Sequence, residues 1–79
     1  MGLSEVVSTN ARALRAARRL RQRDVAERAG ISRSTVALIE GDGRRVSLED
    51  VLALCEGLDV GLRDLLAGAD PREVRRLGL

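Results

Sequence analysis

Apolar residues recur along the whole chain at the spacing of amphipathic helices, and no segment alternates in the manner of a strand. Residues 6–19 place an apolar side chain at every third or fourth position, at Val7, Ala11, Leu14 and Ala17. This spacing puts all of these side chains on one side of a helix. The pattern therefore predicts an all-α chain that begins with an amphipathic helix.

Two short helices with a tight turn between them are predicted next. The first covers residues 22–29 and stops at Gly30, because glycine readily adopts the left-handed conformation that ends many helices. The second covers residues 33–40 and starts after Ser32, whose hydroxyl can accept a hydrogen bond from an unpaired backbone N–H. The residues expected to face inward are Val25, Ala26, Ala29, Val36 and Ile39.

A fourth helix is predicted after the loop formed by residues 41–45. Ser47 and Asp50 resemble a capping box, with Asp in place of the usual Glu at its last position. The apolar residues of this helix are Leu48, Val51, Leu52, Cys55 and Leu58.

A fifth, shorter helix is predicted over residues 61–67, where the apolar residues are Leu62, Leu65 and Leu66. Residues 70–73 can start one more helical turn, because Pro71 suits the first helical position and Glu73 can complete a capping box.

The length of 79 residues suits one small domain. We therefore expect a compact five-helix domain over residues 1–79, with its core in residues 6–67. Residues 68–79 form a tail with an optional short sixth helix, and this tail is a candidate for dimer formation.

Charge is distributed unevenly along the chain. Residues 1–45 hold ten arginines against five acidic residues, whereas residues 46–79 hold four arginines against seven. All 14 basic residues are arginine, which codon bias can explain, but bias does not explain the segregation. The asymmetry favours one face for a polyanion and another for a different contact.

Several classes of protein are disfavoured by composition. The chain has no histidine and one cysteine, Cys55, which excludes an internal disulfide and a Cys-based zinc site within one chain. With no nucleophile motif or glycine-rich phosphate loop, we expect neither an enzyme nor a cofactor. The absence of aromatic residues removes a stacking platform for unpaired bases. No secretory signal or membrane-spanning stretch is visible, so we expect a cytoplasmic protein without a membrane partner.

Residues 12–66 resemble the phage-repressor/Cro (XRE-type) helix-turn-helix family. The residues that carry the resemblance are Leu14-Arg15, Leu20-Arg21-Gln22, Val25-Ala26, Ala29-Gly30-Ile31-Ser32-Arg33-Ser34-Thr35-Val36, Ile39-Glu40, Ser47-Leu48 and Leu58-Asp59-Val60. Two positions depart from the family pattern. Arg21 replaces the Ser, Thr or Asn that often caps the second helix, so that helix start is expected to be less well satisfied. The usual loop glycine falls at Asp42, which tolerates a left-handed conformation.

The resemblance implies a lambda-repressor-like fold whose third helix enters the DNA major groove. The residues expected to read bases are Ser32, Arg33, Ser34, Ala37 and Leu38. Arg33 can donate two hydrogen bonds to guanine, and Leu38 can contact a thymine methyl group. The alternatives are a solvated side chain for Arg33, and packing against the fourth helix or a neighbouring chain for Leu38.

Phosphate contacts are expected on both sides of the reading helix, from Arg21, Gln22, Arg23, Thr35, Arg44 and Arg45. Gln22 matches the family's phosphate-binding glutamine, which also supports the first reading residue. The backbone amides at the start of the second helix add affinity for a phosphate. Each arginine taken alone could equally be solvated, and the argument rests on the cluster.

Arg15 and Glu40 match a family ion pair that joins the first helix to the end of the third, and we assign them to structure. Cys55 falls on the apolar face of the fourth helix and is interpreted as a small core residue. A redox role would need exposure and a lowered pKa.

The sequence thus predicts a transcriptional regulator that binds specific double-stranded DNA, as a homodimer on an inverted repeat. The dimer surface is expected to include Leu62, Leu66, Val74 and Leu77. The alternative is a protein-interaction module on the same fold, such as an antitoxin or an RNA-polymerase partner. Small family members include restriction-modification controllers, phage repressors and antitoxins, and the sequence does not choose among them.

Overall fold

The computed structural model describes residues 2–41 and 45–79, and within these residues it contains helices and no strands. The helices are α1 (Leu3–Ala17), α2 (Gln22–Ala29), α3 (Arg33–Glu40), α4 (Leu48–Leu58), α5 (Leu62–Leu65) and α6 (Pro71–Arg76). The predicted all-α fold and its short sixth helix are confirmed. No described helix is both long and apolar enough to cross a bilayer.

The first helix begins and ends earlier than the apolar pattern predicts. It starts at Leu3, after Gly2 in an extended conformation, and the Ser4 hydroxyl accepts a hydrogen bond from the Val46 backbone N–H at 3.0 Å. This contact anchors the first turn to the chain that precedes α4. At the other end Arg19 adopts φ 56°, and the Leu20 N–H reaches the Arg15 carbonyl at 3.1 Å. A left-handed residue closes a helix in this way, and α1 therefore stops at Ala17.

The turn between α2 and α3 has the caps that the sequence predicts. Gly30 adopts φ 70°, and the Ile31 N–H donates to the Ala26 carbonyl at 3.0 Å. The Ser32 hydroxyl accepts a hydrogen bond from the Thr35 N–H at 3.1 Å. These two caps fix where α2 stops and where α3 starts.

Side chains from α1 to α4, together with Leu65 and Leu66 near α5, form the core. Its members are Val7, Ala11, Val25, Ala26, Val36, Ile39, Leu54, Leu58, Leu65 and Leu66. Ala17 and Ala29, expected to face inward, are exposed and half-buried respectively.

The fourth helix buries only part of the apolar set that its sequence suggests: Leu58 lies in the core, and Val51 and Cys55 pack against it. Leu48 is 84% exposed and Leu52 is 60% exposed, whereas Leu54 is fully buried. The cause is a close approach of α4 to α2 at Gly57. A Cβ atom on Gly57 would lie 2.6 Å from Val25 Cγ1 and 2.8 Å from the Val25 carbonyl oxygen. The face with the glycine therefore turns inward, and the opposite leucines turn outward.

The C-terminal end of α5 is attached to the first helix. Asn10 Nδ2 donates to the carbonyl oxygens of Leu65 and Ala67, each at 2.8 Å. The fifth helix is shorter than residues 61–67, because α5 ends at Leu65. At α6 the Asp70 carboxylate accepts the Arg72 backbone N–H at 2.9 Å.

The prediction that Glu73 completes a capping box at the start of α6 is wrong. In the described part of the chain, α6 is capped by the Asp70 side chain, with Pro71 at the start of the helix. Proline has no N–H to cap, so the Arg72 amide is the first that needs an acceptor, and the neighbouring Asp70 reaches it.

Candidate nucleic-acid interface

The third helix has one buried and one exposed side. Val36 and Ile39 are fully buried, and Glu40 is 5% exposed. The residues expected to read bases lie on the other side: Ser32, Arg33, Ser34 and Leu38 are exposed, and Ala37 is half-buried. Leu38 is 59% exposed, so it is not covered by α4. The structure thus gathers these five residues on one accessible surface, which we call the reading face.

Arg15 and Glu40 form a two-pronged ion pair between α1 and the end of α3. Arg15 Nε lies 2.8 Å from Glu40 Oε2, and Arg15 Nη2 lies 3.0 Å from Oε1. Arg15 also donates to the Leu20 carbonyl at 3.0 Å. The hydrogen bond to Glu40 raises the pKa of Arg15 above its ordinary value. A pair this buried stabilises the fold only while both charges are present.

Gln22 connects this ion pair to the reading face. Its Nε2 donates to Glu40 Oε1 at 3.3 Å, and its Oε1 accepts a hydrogen bond from Arg33 Nη1 at 3.1 Å. The N-termini of α2 and α3 are therefore in direct contact through Gln22 and Arg33. The sequence places both residues in the interface, but it does not show that Glu40 belongs to the same network.

A shallow basic depression borders the reading face. It has a volume of about 450 Å³ and is lined by Arg15, Arg21, Gln22, Arg23 and Arg33. At the start of α2, the Asp24 and Val25 amides donate to the Arg21 carbonyl at 3.0 and 3.3 Å. The first amides of a helix have no partner within the helix, so a helix N-terminus such as that of α2 can accept an anion.

The start of α2 is better satisfied than its Arg21 cap residue suggests. The Arg21 backbone N–H donates to Asp24 Oδ2 at 2.7 Å. That hydrogen bond is the main reason why the pKa of Asp24 lies below its ordinary value. The expected weakness at this helix start is compensated by Asp24. The signal was present in the sequence, because an acidic residue three positions after the cap can accept its N–H.

The other predicted phosphate-binding residues are less well defined. Arg45 is exposed, and Thr35 is half-buried with its Oγ1 2.8 Å from the Ser32 Oγ. Arg44 and the loop residue Asp42 lie outside the described residues.

A second, apolar surface lies away from the reading face. A groove of about 160 Å³ is lined by Leu3, Ser4, Val7, Val46, Leu48, Val51, Leu62, Leu66 and Leu77. Of the residues expected in a dimer surface, Leu77 is 53% exposed, whereas Leu66 is 6% exposed and lies mainly in the core. Leu62 and Val74 are half-buried. Leu48 belongs to this groove, although sequence reasoning did not place it there.

Cys55 is half-buried against the core. Burial raises the pKa of its thiol, and the negative charges of Asp64 and Glu56 add to the shift. A thiol with a raised pKa carries little of the reactive thiolate. Among the described residues, no group of side chains has the composition of a metal site.

Comparison with known families identifies the class of protein. A model described as a helix-turn-helix domain matches residues 9–69. The match covers more than half of the chain, which therefore belongs to the helix-turn-helix family, and the resemblance to phage-repressor-type regulators is confirmed. A comparison with curated proteins gives no match.

Solved structures with a similar fold include restriction-modification controller proteins. The controller C.AhdI from Aeromonas hydrophila is 35% identical, with a TM-score of 0.69 over 78% of this chain and 94% of that chain. A single-residue mutant of the controller C.Esp1396I is 21% identical, with a TM-score of 0.74 over 85% of this chain and 87% of that chain. The family and the controller C.AhdI together support a DNA-binding transcriptional regulator.

Proposed function

We propose that this chain is a non-enzymatic transcriptional regulator that binds a specific sequence of double-stranded DNA, with α3 in the major groove. The similarity to C.AhdI supports a controller role over the alternatives of phage repressor and antitoxin. We propose further that it binds an inverted repeat as a homodimer.

The observation that carries this proposal is the contact between the reading face and the basic depression. Gln22, at the start of α2, touches Arg33, at the start of α3, at 3.1 Å. A duplex places its phosphates along the edges of the major groove, so a protein that reads bases needs anion-binding groups directly beside its reading residues. Arg21, Arg23 and the first amides of α2 supply those groups.

Charge favours a duplex as the partner. Most arginines lie in the first half of the chain, which holds both the depression and the reading face. The chain has no aromatic side chain on which unpaired bases could stack. A partner that offers closely spaced phosphates and accessible base edges fits both observations.

The homodimer is supported by the apolar groove and by geometry. Large exposed leucines are costly on a monomer surface, and Leu48 and Leu77 both border the groove. A single short reading helix contacts only a few base pairs, and two-fold pairing of such helices produces a two-fold site.

The test is selection of duplexes from a random DNA pool, followed by titration of the selected duplex with Arg33→Ala. We expect an inverted repeat, and in the variant about a tenfold loss of preference at one base position with the salt dependence kept. The matched control is Arg28→Ala, which removes an exposed arginine from the far end of α2 and should leave the preference unchanged. If no sequence is enriched and binding disappears near physiological salt, the protein-interaction module becomes the better explanation.

A further inference from the structure

The Gln22 side chain stands between two partners with opposite requirements. Glu40 presents a carboxylate, which only accepts hydrogen bonds, and Arg33 presents a guanidinium, which only donates them. The Gln22 amide has one donor end and one acceptor end. Only one of its two orientations satisfies both neighbours, with Nε2 toward Glu40 at 3.3 Å and Oε1 toward Arg33 at 3.1 Å.

Glu40 is held more firmly than the residues that it contacts. It is 5% exposed, and both of its carboxylate oxygens are fixed by the Arg15 guanidinium, at 2.8 and 3.0 Å. Arg33, by contrast, is exposed, and Gln22 is half-buried. Burial is therefore greatest at Glu40 and decreases toward the surface from Glu40 to Gln22 to Arg33.

We propose that Glu40 is a positioning residue for DNA sequence recognition, which acts by fixing the orientation of the Gln22 amide and thereby the side chain of Arg33. This inference rests on the proposed function. A free arginine side chain has many rotamers, and ordering them on binding reduces the affinity for the correct base. Arg33 has five N–H donors and uses one on Gln22, so a pair of donors remains for guanine.

A structural role and a positioning role for Glu40 predict different results. If Glu40 only stabilised the fold, its loss would weaken binding to every sequence by the same factor. The Arg33→Ala variant identifies the base pair that Arg33 reads, and a second duplex carries a change at that base pair. If Glu40 positions Arg33, loss of Glu40 lowers the ratio of the affinity for the selected duplex to the affinity for the changed duplex. The glutamine variant Glu40→Gln is suited to this test because its amide can face Gln22 in either orientation.

The experiment measures this affinity ratio for Glu40→Gln in the wild-type background and in a Gln22→Ala background. We expect about a tenfold fall in the ratio in the wild-type background and no further fall when Gln22 is absent. The salt dependence of binding should change little, because every arginine predicted to neutralise a phosphate is kept in these variants. An unchanged ratio, or an equal fall in both backgrounds, overturns the proposal.

Two further variants separate positioning from stability. Leu65→Val, in the core at α5, supplies a destabilised protein that should keep the wild-type ratio. Glu40→Asp keeps the charge but withdraws the carboxylate from Gln22, so it should lower the ratio and serves if Glu40→Gln does not fold. If the wild-type protein itself shows no preference between duplexes, the proposed function fails and this inference fails with it. If the wild type discriminates and the Glu40 variants discriminate equally well, the positioning role alone is wrong.

Discussion

Single carboxylates decide much of the local structure around the reading face. Asp24 compensates for the missing cap at Arg21, and Glu40 joins a core ion pair to Gln22. The two cases differ in how they could be predicted. Asp24 acts on a residue three positions away, which a sequence pattern can show. Glu40 and Gln22 are 18 positions apart, and their contact follows only from the packing of α2 against α3.

Acid should weaken the fold through Asp24. Its folded-state pKa lies below the ordinary value of 3.8, mainly because of the hydrogen bond from the Arg21 backbone N–H. A lowered pKa means that folding favours the charged form. The resulting stability is fully present well above pH 3.8 and is lost as the pH falls through the folded-state pKa.

Urea unfolding measured across this pH range should therefore show a smaller loss of stability in Asp24→Asn than in the wild type. The pKa of Asp70 is also lowered, mainly by the hydrogen bond from the Arg72 backbone N–H. Asp70→Asn should therefore also reduce the loss of stability as the pH falls. Identical acid profiles for wild type and both variants would contradict this account.

At the scale of elements, helix ends were predictable where they depend on residue type and unpredictable where they do not. Gly30 and Ser32 cap α2 and α3 as their chemistry suggests. Arg19 and Asp59 adopt left-handed conformations at φ 56° and 55°, although neither is glycine. Such positions are imposed by the packing of the following segment, and Arg19 carries no local signal for them.

Relief of the strained conformation at Arg19 should stabilise the protein. Arg19→Gly is expected to raise the free energy of unfolding by about 1 kcal/mol, since a left-handed residue with a Cβ is unfavourable by that order. The matched control is Arg18→Gly, because Arg18 has φ −89° and gains nothing from glycine. Urea midpoints of the two variants give the comparison. Equal effects of the two substitutions would exclude backbone strain as the cause.

The contact of α2 with α4 depends on Gly57. Gly57→Ala should destabilise the fold by about 1–3 kcal/mol, because a Cβ would lie 2.8 Å from a backbone oxygen that can move only with its helix. Gly61→Ala is the control, since a Cβ atom on Gly61 would lie 4.0 Å from Asp64 Oδ2. Thermal unfolding should give a clearly lower midpoint for Gly57→Ala than for Gly61→Ala. Similar midpoints would mean that α2 and α4 can move apart without loss of stability.

For the molecule as a whole, the chain has two surfaces with different chemistry. The reading face and the depression are basic and polar, and the groove is apolar. The charge segregation along the sequence anticipated the first surface. The second was only partly predictable: α4 has apolar residues on more than one side, and the approach at Gly57 decides which of them face solvent.

Self-association should depend on the groove and not on the reading face. Leu48→Glu combined with Leu77→Glu is expected to weaken the proposed dimer at least about tenfold, because each substitution places a charge on the apolar groove. Leu38→Glu is the control, since Leu38 is similarly exposed but lies on α3. Sedimentation at several concentrations measures the effect. If the double variant and the Leu38→Glu control weaken self-association equally, the interface does not lie in the groove.

The hydrogen bonds from Asn10 have a consequence for biosynthesis. They connect positions 55 and 57 residues apart, so the first helix cannot complete its contacts until residues 65–67 have emerged from the ribosome. Because chains emerge from the ribosome N-terminus first, we expect the nascent protein to stay open to proteases through most of its translation. Folding, and with it the ability to bind DNA, would then be completed only after residues 65–67 have left the ribosomal exit tunnel.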